Sequence, residues 1–194
     1  MNGEHNKFSQ SKIAESDKNN YREGNIEPLT NEKARTKSDY WVSMMSKTGI
    51  RFDYSLAGLQ ILDLFVEATA TQCKFDKDGQ PSSAMDIERV WTLGIYLGET
   101  LREAYGGDWI QPSSPGLYSV KTAAVLLAGK IEVYPIEKIR KRMIHGKEEN
   151  LVLYLSKLAA ALNKIDPDIK MNPSIQGKPA SEKVDSSISR YPFE

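Results

Sequence analysis

The run Gly94-Ile95-Tyr96-Leu97-Gly98-Glu99-Thr100-Leu101-Arg102-Glu103-Ala104-Tyr105-Gly106-Gly107-Asp108-Trp109 changes its hydrophobic rhythm at a pair of glycines. Before the pair, Ile87, Val90, Trp91, Gly94, Gly98, Leu101 and Tyr105 recur at helical spacing and share one face. At Gly106-Gly107 the helix stops, because one glycine takes the left-handed cap conformation and the second adds a flexible joint. Asp108 to Gln111 then reads as a short strand, and Pro112 to Gly116 as a turn. Leu117 to Leu127 and Lys130 to Tyr134 read as two further strands around Ala128-Gly129.

Upstream, Ser38 to Ser46 begins a short helix with a stripe of Tyr40, Trp41, Met44 and Met45, ended by Gly49. A longer helix starts at Asp53 or Ser55, buries Leu56, Leu59, Leu62, Phe65 and Val66, and ends near Gln72. Lys74 to Pro81 is turn chemistry, and Ser82 or Ser83 caps the central helix. Downstream, Pro135 opens a helix through Ile136, Ile139, Arg140, Met143 and Ile144 to His145-Gly146. Glu148 to Ile165 forms the last one through Leu151, Leu155, Leu158 and Leu162. Helices, then strands, then helices predict an α+β domain: N-terminal helices, a small antiparallel sheet, C-terminal helices.

The 194 residues are 40% hydrophobic and 27% charged, and their apolar residues crowd into the middle of the chain. One domain over 38–165 is expected, between flexible segments at 1–37 and 166–194, where sparse apolar residues and several prolines bury too little surface to offset ordering entropy. The 26 basic and 26 acidic side chains cancel, so whole-chain charge selects neither nucleic acid nor anionic lipid. Cys73 has no second cysteine to pair with, which excludes an internal disulfide and a cysteine zinc cluster; no cofactor or metal is expected. A polar N-terminus and the lack of a window near 20 apolar residues predict a soluble, cytoplasmic protein without membrane insertion.

Three stretches carry a resemblance: Phe52-Asp53-Tyr54-Ser55-Leu56 leading to Leu59 and Leu62-Asp63, Gly94-x-Tyr96-Leu97-Gly98-Glu99 leading to Gly106-Gly107-Asp108-Trp109, and Tyr134-Pro135-Ile136-Glu137-Lys138-Ile139. Together they resemble a group of small bacterial proteins with the pattern Asp-Tyr-Ser, Gly-x-Tyr-Leu-Gly-Glu and Gly-Gly-x-Trp, over about residues 40 to 160. Leu56 and Gly58 depart from the pattern locally. The resemblance implies a shared fold and no established chemistry; some similar domains look immunity-associated or secretion-associated.

Gly94 and Gly98 stack on one helix face, where missing side chains let a backbone or ring approach closely. Each costs about 1 kcal/mol of helix propensity relative to alanine, so close packing must compensate. The same face could instead floor a cleft, with Tyr96 and Glu99 at its edge and Trp109 arriving from the first strand. Glu99, Glu103 and Asp108 form the nearest thing to a carboxylate cluster, although Glu99 and Glu103 can also serve as exposed partners of Arg102. Asp76-Lys77-Asp78-Gly79 imitates a calcium loop but has Ile87 where the chelating glutamate belongs, and Gly129-Lys130 lacks the phosphate-loop spacing. Cys73 reads as a small buried hydrophobe, not a nucleophile served by His5 or His145. No Gly-x-Ser-x-Gly elbow occurs.

A basic stripe of Lys138, Arg140, Lys141, Arg142 and Lys147 could meet an anionic partner, yet it also suits a solvated helix end, with Glu148-Glu149 following at once. The leading expectation is a non-enzymatic protein-binding module of immunity or escort type, with Tyr96, Glu99 and Trp109 as its recognition rim and Gly94, Gly98, Gly106 and Gly107 as structural determinants. The alternative is a small hydrolase or transferase using Glu99 or Asp108 as base.

Overall fold

The computed structural model describes residues 28–112 and 123–176, so the expectations for 1–27, 113–122 and 177–194 lie outside it. Helix α1 (Asn31–Ser46) starts seven residues before the expected Ser38, capped by the Thr30 side chain, which accepts from Lys33 N. The extra turns look too polar to order, but their charges find acids elsewhere: Arg35 pairs with Glu103 and Asp39, and Lys37 with Glu88 at 2.7 Å. The buried face of α1 is Ala34, Ser38, Trp41 and Met45. Trp41 packs against Phe52 at a centroid distance of 4.5 Å and against Tyr96 at 5.3 Å.

Ser55 caps α2 (Leu56–Ala70), its hydroxyl accepting from Gly58 N at 3.0 Å. Ser83 and Asp86 cap α3 (Ala84–Tyr105) reciprocally: Ser83 Oγ accepts from Asp86 N and donates to the Asp86 carboxylate. The expected single apolar face is an underestimate. From Leu93 to Leu101 every residue of α3 is buried, because α1, α2, the sheet and the following helix surround it. An added Cβ on Gly94 would stand 2.5 Å from Ile136 Cα, and one on Gly98 would overlap the Trp109 indole. Both glycines are therefore in close packing.

Gly106 ends α3 with φ 69° and ψ 173°, which is not the left-handed cap expected, and Gly107 (φ 131°) is no loose joint. It is the first residue of β1 (Gly107–Ile110), where a Cβ would strike the Leu126 carbonyl of β2 (Ala124–Leu127). β3 (Ile131–Val133) completes an antiparallel sheet of order β1-β2-β3, with Trp109 opposite Val125 and Val125 opposite Val133. Consecutive positive φ values at Ala128 (48°) and Gly129 (64°) give the tight hairpin that matches strand twist, closed by Lys130 N donating to Leu127 O. β2 is shorter than the expected Leu117–Leu127 strand, of which 117–122 lies outside the described residues.

Pro135 opens α4 (Pro135–His145), and Gly146 (φ 65°) ends it. The last helix, α5 (Leu151–Ile165), starts three residues later than expected, because Gly146–Glu149 forms a 3₁₀ turn and Asn150 supplies the cap to Leu153 N. The chain stays on the body through Gln176, which corrects the expected tail from 166. Ile175 is buried, and Asn172 donates through N and Nδ2 to the carbonyls of Ala104 and Glu103, orphan acceptors at the end of α3. Among the described residues no helix is long and apolar enough to cross a membrane.

Candidate functional site

Glu99 and Trp109 come together as the spacing suggested, but inside the molecule, while Tyr96 joins the rings of Trp41, Phe52 and Tyr54. Glu99 is 1% exposed and Tyr96 0%, so neither forms a surface rim. Glu99 Oε1 accepts from Trp109 Nε1 and from Arg102 Nη1, both at 2.7 Å, and Arg35 Nη1 lies 3.8 Å from its other oxygen. The expected exposed pair of Glu99 with Arg102 is thus a buried, charge-assisted one, held by an indole that fills the space above Gly98. Asp108 faces solvent on β1 and accepts from Asn31 Nδ2 at 2.7 Å; Glu103 pairs with Arg35. Glu99 and Glu103 thus share Arg35, whereas Asp108 is held by Asn31.

Above Glu99 stands a layer invisible to local spacing. The Arg35 guanidinium lies 4.4 Å over the Tyr54 ring, whose other face stacks on Tyr96 at 5.0 Å. The Tyr54 hydroxyl donates to Asp39 Oδ1 at 2.7 Å and hydrogen-bonds with Ser38 Oγ at 2.9 Å; its amide donates to Tyr96 Oη at 3.2 Å. Burial pushes the Tyr54 phenol above its ordinary value and Asp39 adds in the same sense, against the opposing bond from Ser38. Burial also raises Tyr96. Neither phenol is a base near neutral pH. Tyr54 sits at φ 58°, a conformation costing a non-glycine residue about 1–2 kcal/mol, and these contacts hold it there. Gly58 has a reason here as well: a Cβ on it would crowd Tyr96 Oη at 2.7 Å and Asp53 Oδ1 at 2.8 Å.

The basic stripe is occupied from within. Arg142 is 1% exposed and forks onto Asp63 at 2.8 and 3.1 Å, with Glu67 at 3.0 Å. Arg140 forks onto Glu137 and also donates to the Gly79 carbonyl; Lys138 pairs with Glu149 at 2.5 Å and lies over the Tyr154 ring. Lys141 stands 4.0 Å from Glu137 and Lys147 3.7 Å from Glu67. Lys138, Arg140 and Arg142 are thus turned inward onto acids of the protein, whereas Lys141 and Lys147 stay on the solvated face that the composition suggests. Asp63 enters the sequence reading only within the resemblance and without a role, though an aspartate between Leu62 and Leu64 in an apolar helix signals a buried partner.

Cys73 is buried, with its thiol pushed up to about 12, first by burial and then by Asp86, so it is not a thiolate nucleophile. The calcium-like loop is a turn in which Asp76 Oδ1 accepts from Asp78 N and Gln80 N. Among the described residues no group of three or more His, Cys, Asp or Glu could hold a metal ion. The group around Glu99 can fix three elements to one another, but every polar atom just described is committed to a protein partner. Comparison with protein-family models, curated proteins and solved structures finds no match to this chain.

Proposed function

We propose that the protein is a non-enzymatic binding module for another protein, of immunity or escort type, working in a bacterial cytoplasm. The observation that carries this reading is the outer side of α5. That helix buries Leu151, Leu155, Leu158 and Leu162 and packs chiefly on α2, yet Leu153 is 49% and Ile165 54% exposed on its other sides. Lys157 and Lys164 accompany them in solvent without an acidic partner among the described residues. Apolar side chains edged by charge suit a protein contact. The recognition surface is therefore moved outward from the buried Tyr96, Glu99 and Trp109, whose part is to hold the scaffold.

The test is crosslinking from a photoreactive residue at the exposed position 157 of the same helix, in the cell of origin, with Leu153 and Ile165 intact and then with Leu153→Glu or Ile165→Glu added. A partner crosslinked to wild type and lost by both variants at unchanged thermal midpoint supports the reading; the same partner on both variants refutes it. The carboxylate-enzyme alternative requires Glu99 or Asp108 to be free for proton transfer; Asp108 is exposed and accepts from Asn31, and Glu99 is enclosed. Here Glu99→Gln is expected to lower stability, because Arg102 and Arg35 lose a buried counter-charge. A Glu99→Gln protein as stable as wild type would return Glu99 to the list of possible bases.

A further inference from the structure

β1 lies at the end of the sheet order, so one of its edges faces no strand among the described residues. In an antiparallel strand the peptide groups of alternate residues point to the same side, which places the outward groups of β1 on Gly107 and Trp109. Side chains from two helices occupy them. Trp109 N donates to Asn31 Oδ1 at 2.8 Å, and Gly107 O accepts from Arg102 Nε at 2.9 Å. Asn31 also donates from Nδ2 to Asp108 Oδ1, so its carboxamide is fixed to β1 at both ends, by a backbone amide and by a side chain. Asn31 is the first residue of α1, and Arg35, one turn on, ties that turn to Glu103.

We propose that the first turn of α1 is a cover on the outer edge of β1, fastened by Asn31, and that it keeps a second copy of this chain from pairing its own β1 there. An uncovered edge is a template for strand addition. A second copy is the occupant the geometry selects, because antiparallel pairing about a two-fold axis sets Asp108 opposite Ile110 around Trp109 and needs no strand but β1 itself. Four residues make a short ladder, so the pairing depends on protein concentration and on fraying of the α1 turn.

The experiment compares the full-length wild type with Asn31→Ala and Asn31→Asp by sedimentation over a wide concentration range, with hydrogen exchange read at the Trp109 amide. Asn31→Ala removes both bonds; Asn31→Asp keeps an acceptor for Trp109 but loses the donor to Asp108 and sets a second negative charge beside it at the edge. The expected result is faster Trp109 exchange in Asn31→Ala at low concentration, protection regained at high concentration, and self-association about tenfold tighter or more than that of wild type. Asn31→Asp should sediment as wild type does. Asn31→Ser, too short to reach both partners, gives the same readout if Asn31→Ala does not fold. Faster exchange without added self-association overturns the cover, and so does Trp109 exchange that the substitution leaves unchanged.

Discussion

Asp63→Asn should be among the most damaging conservative changes in this chain. The carboxylate accepts four hydrogen bonds: Arg142 Nε at 2.8 Å, Arg142 Nη2 at 3.1 Å, Asn150 Nδ2 at 2.7 Å and Leu151 N at 2.9 Å. It neutralises a fully buried guanidinium and satisfies a first-turn amide of α5, tying α2, α4 and α5 together. Asparagine keeps the volume, removes the charge and presents an amide donor to a site lined with donors. Removing one partner of a buried ion pair costs about 3–5 kcal/mol. Glu67, at 3.0 Å from Arg142 but 42% exposed, retains part of the compensation, so the lower end, about 3 kcal/mol, is expected. For a chain of this size that is a fall of about 6–12 °C in thermal midpoint. Urea unfolding followed by far-ultraviolet circular dichroism measures it, with Lys147→Ala as control, because Lys147 is 84% exposed and 3.7 Å from Glu67. A loss below about 0.5 kcal/mol for Asp63→Asn, no larger than an ordinary surface substitution, would refute the keystone role.

Gly94→Ala should destabilise more than Gly98→Ala, although each gains about 1 kcal/mol of helix propensity. The new methyl at 94 meets the Ile136 backbone, whereas at 98 it meets an indole that can shift and report through tryptophan emission; equal denaturation midpoints would contradict this. Lys138 holds the Glu149 carboxyl below its ordinary value, against opposing burial. A depressed folded value means the stabilisation is present above the unfolded value near 4.5 and lost as pH falls through the folded one. The midpoint gap between wild type and Glu149→Gln should therefore be constant above about pH 5 and close under more acid conditions; a gap that widens on acidification is the contrary result. Cys73, with its thiol pushed up to about 12, should resist iodoacetamide at pH 8 in the folded protein and react on unfolding, so rapid native labelling would contradict its burial.

The order of elements was legible because it rests on signals that act within a few residues. Caps at Ser55 and Ser83, the proline opening α4, the turn at Ala128-Gly129 and the apolar spacing of α2 and α5 each select a local backbone state almost regardless of what lies beyond. Periodicity also found the small residues of α3, since only close packing offsets two glycines in one helix.

What lies inside and what lies outside was decided by the tertiary structure. Charge type alone made Glu99 and Arg142 look like surface residues, and the residues before Ser38 look unstructured. A charged side chain stays buried only when an opposite charge meets it there; Glu99 finds Arg102 three residues on, but Asp63 is 79 residues from Arg142, and the half-exposed pair that orders the start of α1, Arg35 with Glu103, spans 68. The sequence by itself determined which segments become helix or strand. Only the fold brought the ion pairs together, because the free energy of a buried charge depends on neighbours that the linear order does not name.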